Sequence, residues 1–233
     1  MTLGGDAVIG ALSKMLAVGL TAGAGSAWAG MVDVPVEVGV GPAFSTFTGP
    51  LADEQPFHTG LSISAAAVLD QEFLRANRRR VPRQYRAAVT SMGEARVGVI
   101  FIPDTIFISP GRGGTSIYGA SWSPLSIGLP LIGGPSAGVS AKADAVLSAA
   151  WIHSPDEAIG TTWFLRPGLG IGVEAVAPLF GGLSIAAGWS SRFYPPQEIG
   201  GSPEEIVGLE NSIWHEGQGA LRLCYRFSYP MNL

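Results

Sequence analysis

Hydrophobic and polar residues alternate with period two over long stretches of this chain, the pattern of strands whose two faces meet different surroundings. In 163–177 one face carries Trp163, Leu165, Leu169, Ile171, Val173 and Ala175; the other carries Phe164, Arg166, Gly168, Gly170, Gly172 and Glu174. In 183–194 Leu183, Ile185, Ala187, Trp189 and Phe193 oppose Ser184, Ala186, Gly188, Ser190 and Arg192. In 139–152 Val139, Ala141, Ala143, Ala145, Leu147, Ala149 and Trp151 oppose Ser140, Lys142, Asp144 and Ser148. Near the C-terminus Leu221, Leu223, Tyr225 and Phe227 oppose Gln218, Ala220, Arg222, Cys224 and Arg226. Val34, Val36, Val38 and Val40 alternate with Glu37, Gly39 and Gly41, and 57–69 behaves similarly. Two stretches leave the register open: 95–109 is more uniformly apolar and holds Pro103, and 115–131 holds Pro124 and Pro130.

The pattern predicts about eight strands, at 34–47, 57–69, 94–108, 115–131, 138–152, 161–177, 182–194 and 213–228. A helix across Leu169–Trp189 is the competing reading, since the run has one charge and the length to span a bilayer. Gly168 beside the run and five glycines within it, each costing a helix about 1 kcal/mol, and Pro178 beside Gly181-Gly182 favour two strands joined by a turn.

Which face is polar separates a lipid-embedded barrel from a soluble, lipocalin-like one. The charged face also carries Gly, Ala and Ser, which suits a cramped interior, whereas the other carries aliphatics with aromatics near strand ends. A charge on a lipid-facing band would cost about 2–4 kcal/mol at the midplane, and the apolar faces above have none. The expected fold is all-β, a transmembrane antiparallel up-and-down barrel. Trp151, Trp163, Trp189, Trp214, Tyr225 and Phe227 are the expected interfacial aromatics. Glu37, Lys142, Asp144, Arg166, Glu174, Arg192, Glu216, Arg222 and Arg226 form the expected interior set, which must pair or meet water. An ion-paired plug is favoured over a small pore, because eight strands leave room for little more than side chains.

Composition agrees with a protein solvated partly by lipid. Only 14% of the 233 residues are charged, against roughly 25% in soluble domains, and 33 are Gly. The one cysteine, Cys224, excludes an internal disulfide and any CxxC motif. An apolar stretch from Met15 to Leu20 relaxes into small residues and ends Ala27-Trp28-Ala29, as a cleaved export signal does. Residues 1–29 are therefore expected to be a signal peptide and 30–233 the barrel domain; a short N-terminal helix is the alternative.

Termini in the periplasm would put 48–56, 109–114, 153–160 and 195–212 outside, with the acidic pairs Asp53-Glu54 and Asp156-Glu157 and the acids of 198–210. Segments 70–93, 132–137 and 178–181 would then be periplasmic. The first is long and basic, carrying Arg75, Arg78, Arg79, Arg80, Arg83 and Arg86. Residues 71–89 read as one helix or two pieces broken at Pro82.

The export signal, the eight alternating segments and the aromatic last strand Leu221–Tyr229 together resemble the small bacterial outer-membrane β-barrel superfamily. In that superfamily the last strand carries alternating apolar residues and usually ends in Phe; here Tyr225, Phe227 and Tyr229 match, but the chain continues through Pro230 to Leu233. The resemblance implies an outer-membrane location and architecture, without an activity.

Catalytic signals are weak. His153-Ser154 with Asp156 falls in an expected loop, His215-Glu216 opens the last strand, and His58 stands apart. Gly168–Gly172 and Gly111–Gly114 have the glycine spacing of phosphate-binding loops but lack the following helix or Lys-Ser/Thr. No cofactor or metal is expected. The expected partners are outer-membrane lipid, through the arginine segment, and an acidic periplasmic or envelope protein; nucleic acid is not. The leading expectation is a non-enzymatic anchoring subunit of an envelope assembly. The alternatives are a small pore or ligand carrier, a lipid-modifying enzyme, and a soluble periplasmic barrel.

Overall fold

A computed structural model describes residues 31–48, 57–79, 93–98, 102–110, 116–134, 137–153, 161–195 and 214–232, with Val81, Arg86, Ala87 and Thr90 between them. The expected signal peptide and the three acidic external segments lie outside the described residues.

The alternating segments become strands β1 (Met31–Thr48), β2 (Phe57–Leu69), β3 (Glu94–Gly98), β4 (Thr105–Pro110), β5 (Ser116–Gly134), β6 (Ala137–His153), β7 (Thr161–Pro178), β8 (Leu183–Tyr194) and β9 (Trp214–Asn232). All pairings are antiparallel, and β1 pairs with both β2 and β9, so the sheet closes. β3 and β4 share one position between β2 and β5, giving a barrel eight strands round. Among the described residues closure gives every strand a neighbour on both sides, a condition that hydrocarbon imposes. The two-residue β5–β6 and four-residue β7–β8 connections lie at the end that holds the N-terminus of β1. Gly181 and Gly182, at φ 57° and 84°, supply the left-handed turn of the latter.

The segment expected as one strand, 94–108, is two. Gly98 faces Ala66 and Thr105 faces Ser62, so an advance of seven residues on one side meets four on β2. Pro103 has no N–H to give a ladder, and a uniformly apolar run has no polar face for the interior. Ile102 instead packs against the cluster on the barrel's outer wall. The main chain of Asp104 rejoins the sheet, accepting from Ile63 N–H at 2.9 Å and donating to Ser121 C=O at 2.7 Å. β5 shifts register twice, between Trp122 and Leu125 and between Pro130 and Ile132, near its two prolines. β9 runs past its aromatic segment, so that Pro230, Met231 and Asn232 pair with Asp33, Val32 and Met31.

The basic connection does not run as one helix over 71–89; of the stretch beyond Pro82, Arg86, Ala87 and Thr90 are helical, and 82–85 and 88–89 lie outside the described residues. Helix α1 is confined to Gln71–Ala76, with Asp70 as N-cap accepting from Glu72 N–H (2.9 Å) and Phe73 N–H (3.1 Å). It stops because the Asn77 side chain turns back to donate to Phe73 C=O at 3.0 Å and to Asp33 C=O at 2.6 Å. Nor does the connection hang free. Phe73, Leu74 and Val81 are buried against Val32, Val34, Val36, Ala67, Leu69 and Ala95. These wall residues share the side-chain parity of exposed Val38 and Val40, so the packing is on the barrel's outside. Burial of such side chains contributes about 1.5–3 kcal/mol each.

Candidate functional site

Alternation aims every second side chain inward, and inside the barrel the charges sort into three tiers. The middle tier holds three carboxylates and three cations. Glu174 on β7 meets Lys142 Nζ at 2.6 Å and Arg96 Nη2 at 3.2 Å, and also pairs with Arg222 of β9. Arg96 on β3 reaches Glu37 of β1 at 2.9 Å and Glu94 at 2.8 Å, and Lys142 lies 3.7 Å from Glu94. Five strands are thus tied across the lumen by a layer of balanced charge. In a low-dielectric interior each of these groups would be costly alone and is tolerable only in such a set.

The second tier lies toward the long-loop end. Tyr194 Oη donates to Glu216 at 3.0 Å, Arg192 to Ser121 Oγ at 2.7 Å, and Gln218 to Thr105 Oγ1 at 2.8 Å. Arg166 is 1% exposed at this level and Phe107 is turned inward over Gly119. Between the tiers lies a polar cavity of about 110 Å³, bordered by Ser62, Ser126, Asp104, Asp144, Ser190 and Gln218. It has room for several bound waters. At the short-turn mouth, Arg226 bridges Asp70 at 2.7 Å and Glu72 at 2.9 Å, beside a vestibule of about 520 Å³.

All nine residues expected in the lumen lie on inward-facing positions. Glu94, Arg96, Asp70, Asp104 and Tyr194 join them without having been expected. Glu94 and Arg96 stand two apart, the spacing of one strand face, but the apolar run after them left the register of that segment open. Asp70 and Asp104 sit outside strands, where alternation says nothing.

The outer face is the reverse of the interior. On β7 Leu169, Ile171 and Val173 are 69%, 59% and 49% exposed, while neighbouring Glu174 is 4% exposed. Exposed apolar residues continue around β1, β5, β6, β8 and β9. Water would not tolerate so continuous an apolar surface on a monomer, whereas acyl chains solvate it. This is the architecture of a small membrane-spanning β-barrel.

No protein-family model matches the chain, and no curated protein matches it. Among solved structures it is similar in chain path to Ail, the attachment invasion locus protein of Yersinia pestis (TM-score 0.42, 10% identity, 84% of this chain and 100% of that one). Neisserial surface protein A gives a TM-score of 0.42 at 13% identity over 86% and 99%. A major outer membrane protein of Thermus thermophilus gives 0.42 at 14% over 83% and 99%. The membrane reading of this barrel rests on its own inside-out polarity.

Of the expected interfacial aromatics, Trp151 and Trp163 face each other across β6 and β7, and Tyr118 of β5 extends the row on the outer surface near the long-loop end. Tyr225 stacks on Phe227 at 5.9 Å near the short-turn end, where Phe227 joins the α1 cluster. Trp189 differs from expectation, lying mid-strand rather than at an end. It packs with Phe44 (5.8 Å between centroids) over Gly217 and Gly219, which leave space for the two rings. The side chain of Trp214 lies outside the described residues.

Four of the six arginines fall among the described residues. Arg75, Arg78 and Arg79 are exposed, Arg86 donates to Val81 C=O at 2.8 Å, and Arg80 and Arg83 lie outside the described residues. Of the candidate catalytic histidines, His215 packs on Phe193 (5.0 Å), and His153 ends β6 opposite Ser116 and Thr161. The side chain of His58 lies outside the described residues.

Proposed function

We propose that this barrel is a non-conducting, non-enzymatic anchor that serves as a subunit of an envelope assembly. The observation that carries the proposal is the middle tier of the lumen, in which Glu37, Glu94 and Glu174 are cross-linked to Arg96, Lys142 and Arg222 from five strands. A lumen filled this way favours rigidity over transport. Recognition then falls to the ends and the outer wall, where an acidic periplasmic or envelope protein is the expected partner.

Planar-bilayer recording on protein of verified refolding tests the first half. Silence is expected; steady unit conductance would move the account to the alternative of a small pore. Purification in mild detergent tests the second. A stoichiometric partner is expected, and a solitary monomer at every detergent concentration would remove the anchoring role.

A further inference from the structure

The exposed arginines sit where a bilayer surface would reach them. Phe73 and Leu74 fix α1 to the outward-facing valines at the start of β1. Elsewhere around the same end the wall stays apolar almost to the rim, with Leu131 60%, Ile132 70% and Phe180 75% exposed. Hydrocarbon that covers those side chains brings the headgroup layer to the level of α1 and the turn that follows it. Arg75, Arg78 and Arg79 are exposed there, and among the described residues none has a carboxylate within 4.0 Å. The acids of the same segment are turned away from them, Asp70 and Glu72 being paired with Arg226 at the mouth.

We infer that Arg75, Arg78 and Arg79 form a binding site for anionic phospholipid headgroups on the periplasmic leaflet, built on the outside of the barrel wall. The ligand class follows from the charge and the depth: phosphodiester groups carrying net negative charge, packed beside acyl chains. Guanidinium forks bind phosphate oxygens through paired N–H donors. Cations held next to an anionic surface gain about 1 kcal/mol apiece. Docking through Phe73 and Asn77 holds the three in place before lipid arrives.

The inference rests on the bilayer reading, so insertion and lipid choice are scored separately. The full barrel and the variant Arg75→Gln/Arg78→Gln/Arg79→Gln are refolded into phosphatidylcholine vesicles with and without phosphatidylglycerol. Mobility before and after boiling reports insertion; spin-labelled lipids of each headgroup then report association with the inserted protein. Enrichment of phosphatidylglycerol over phosphatidylcholine by about fivefold, the contribution of one such arginine, is expected. It should weaken in high salt and vanish in the triple variant. Equal association of both lipids with inserted protein, or a preference that survives the triple substitution, overturns the site. Failure of the unsubstituted chain to insert overturns the bilayer reading beneath it, and the site with it.

Discussion

The carboxamide of Asn77 pairs with the main chain of Asp33 as a neighbouring strand would, accepting its N–H at 3.1 Å and donating to its C=O at 2.6 Å. β2 has ended at Leu69, so the start of β1 would otherwise lack a partner on that side. One side chain thus ends α1, completes a ladder and fastens the basic connection to the wall. Asn77→Ala should cost about 1–3 kcal/mol locally, the penalty for leaving buried backbone groups unpaired. Limited proteolysis should then cut within 70–93 while the boiled and unboiled gel positions stay unchanged.

Glu174 is the hub of the lumen, meeting Lys142, Arg96 and Arg222. Glu174→Gln leaves an excess of buried positive charge, and removing one partner of such a set costs about 3–5 kcal/mol. The urea midpoint of the barrel refolded in vesicles should fall accordingly. An unchanged midpoint would mean that water, rather than protein, balances those cations.

The outer wall makes the opposite prediction for an added charge. Ile171 is 59% exposed in the middle of β7. Ile171→Arg should cost about 2–4 kcal/mol when folding is measured into lipid. In a water-solvated wall the same exposed substitution would stay within about 0.5 kcal/mol.

Glycines on the outer face of β9 make room for aromatic rings from both neighbours. A Cβ on Gly219 would stand 2.2 Å from the Phe44 ring, which packs on Trp189. Gly219→Val should therefore displace the pair and cost about 1–3 kcal/mol, seen as a lower urea midpoint and a changed near-ultraviolet circular dichroism band.

Much of this architecture is legible in the sequence, because period-two alternation encodes both the strand and the side of the wall. The faces of β6 to β9 follow directly, and with them Lys142, Glu174 and Arg222 in the lumen. Alternation is silent where both faces are apolar, so the break between β3 and β4 was hidden and Glu94 and Arg96 with it. It is equally silent about tertiary capping. Residues 71–89 carry helix-forming side chains, yet Asn77 finds better partners on Asp33 and Phe73 and ends the helix after six residues. Trp189 misled for a related reason: its place depends on glycines of another strand.

The most direct measurement is gel mobility of urea-washed outer-membrane fractions before and after boiling in detergent. A closed, lipid-embedded barrel should remain in the membrane through the wash and run at a different position until boiled. Protein that washes out completely and shows no shift would contradict the inside-out polarity on which the whole account stands.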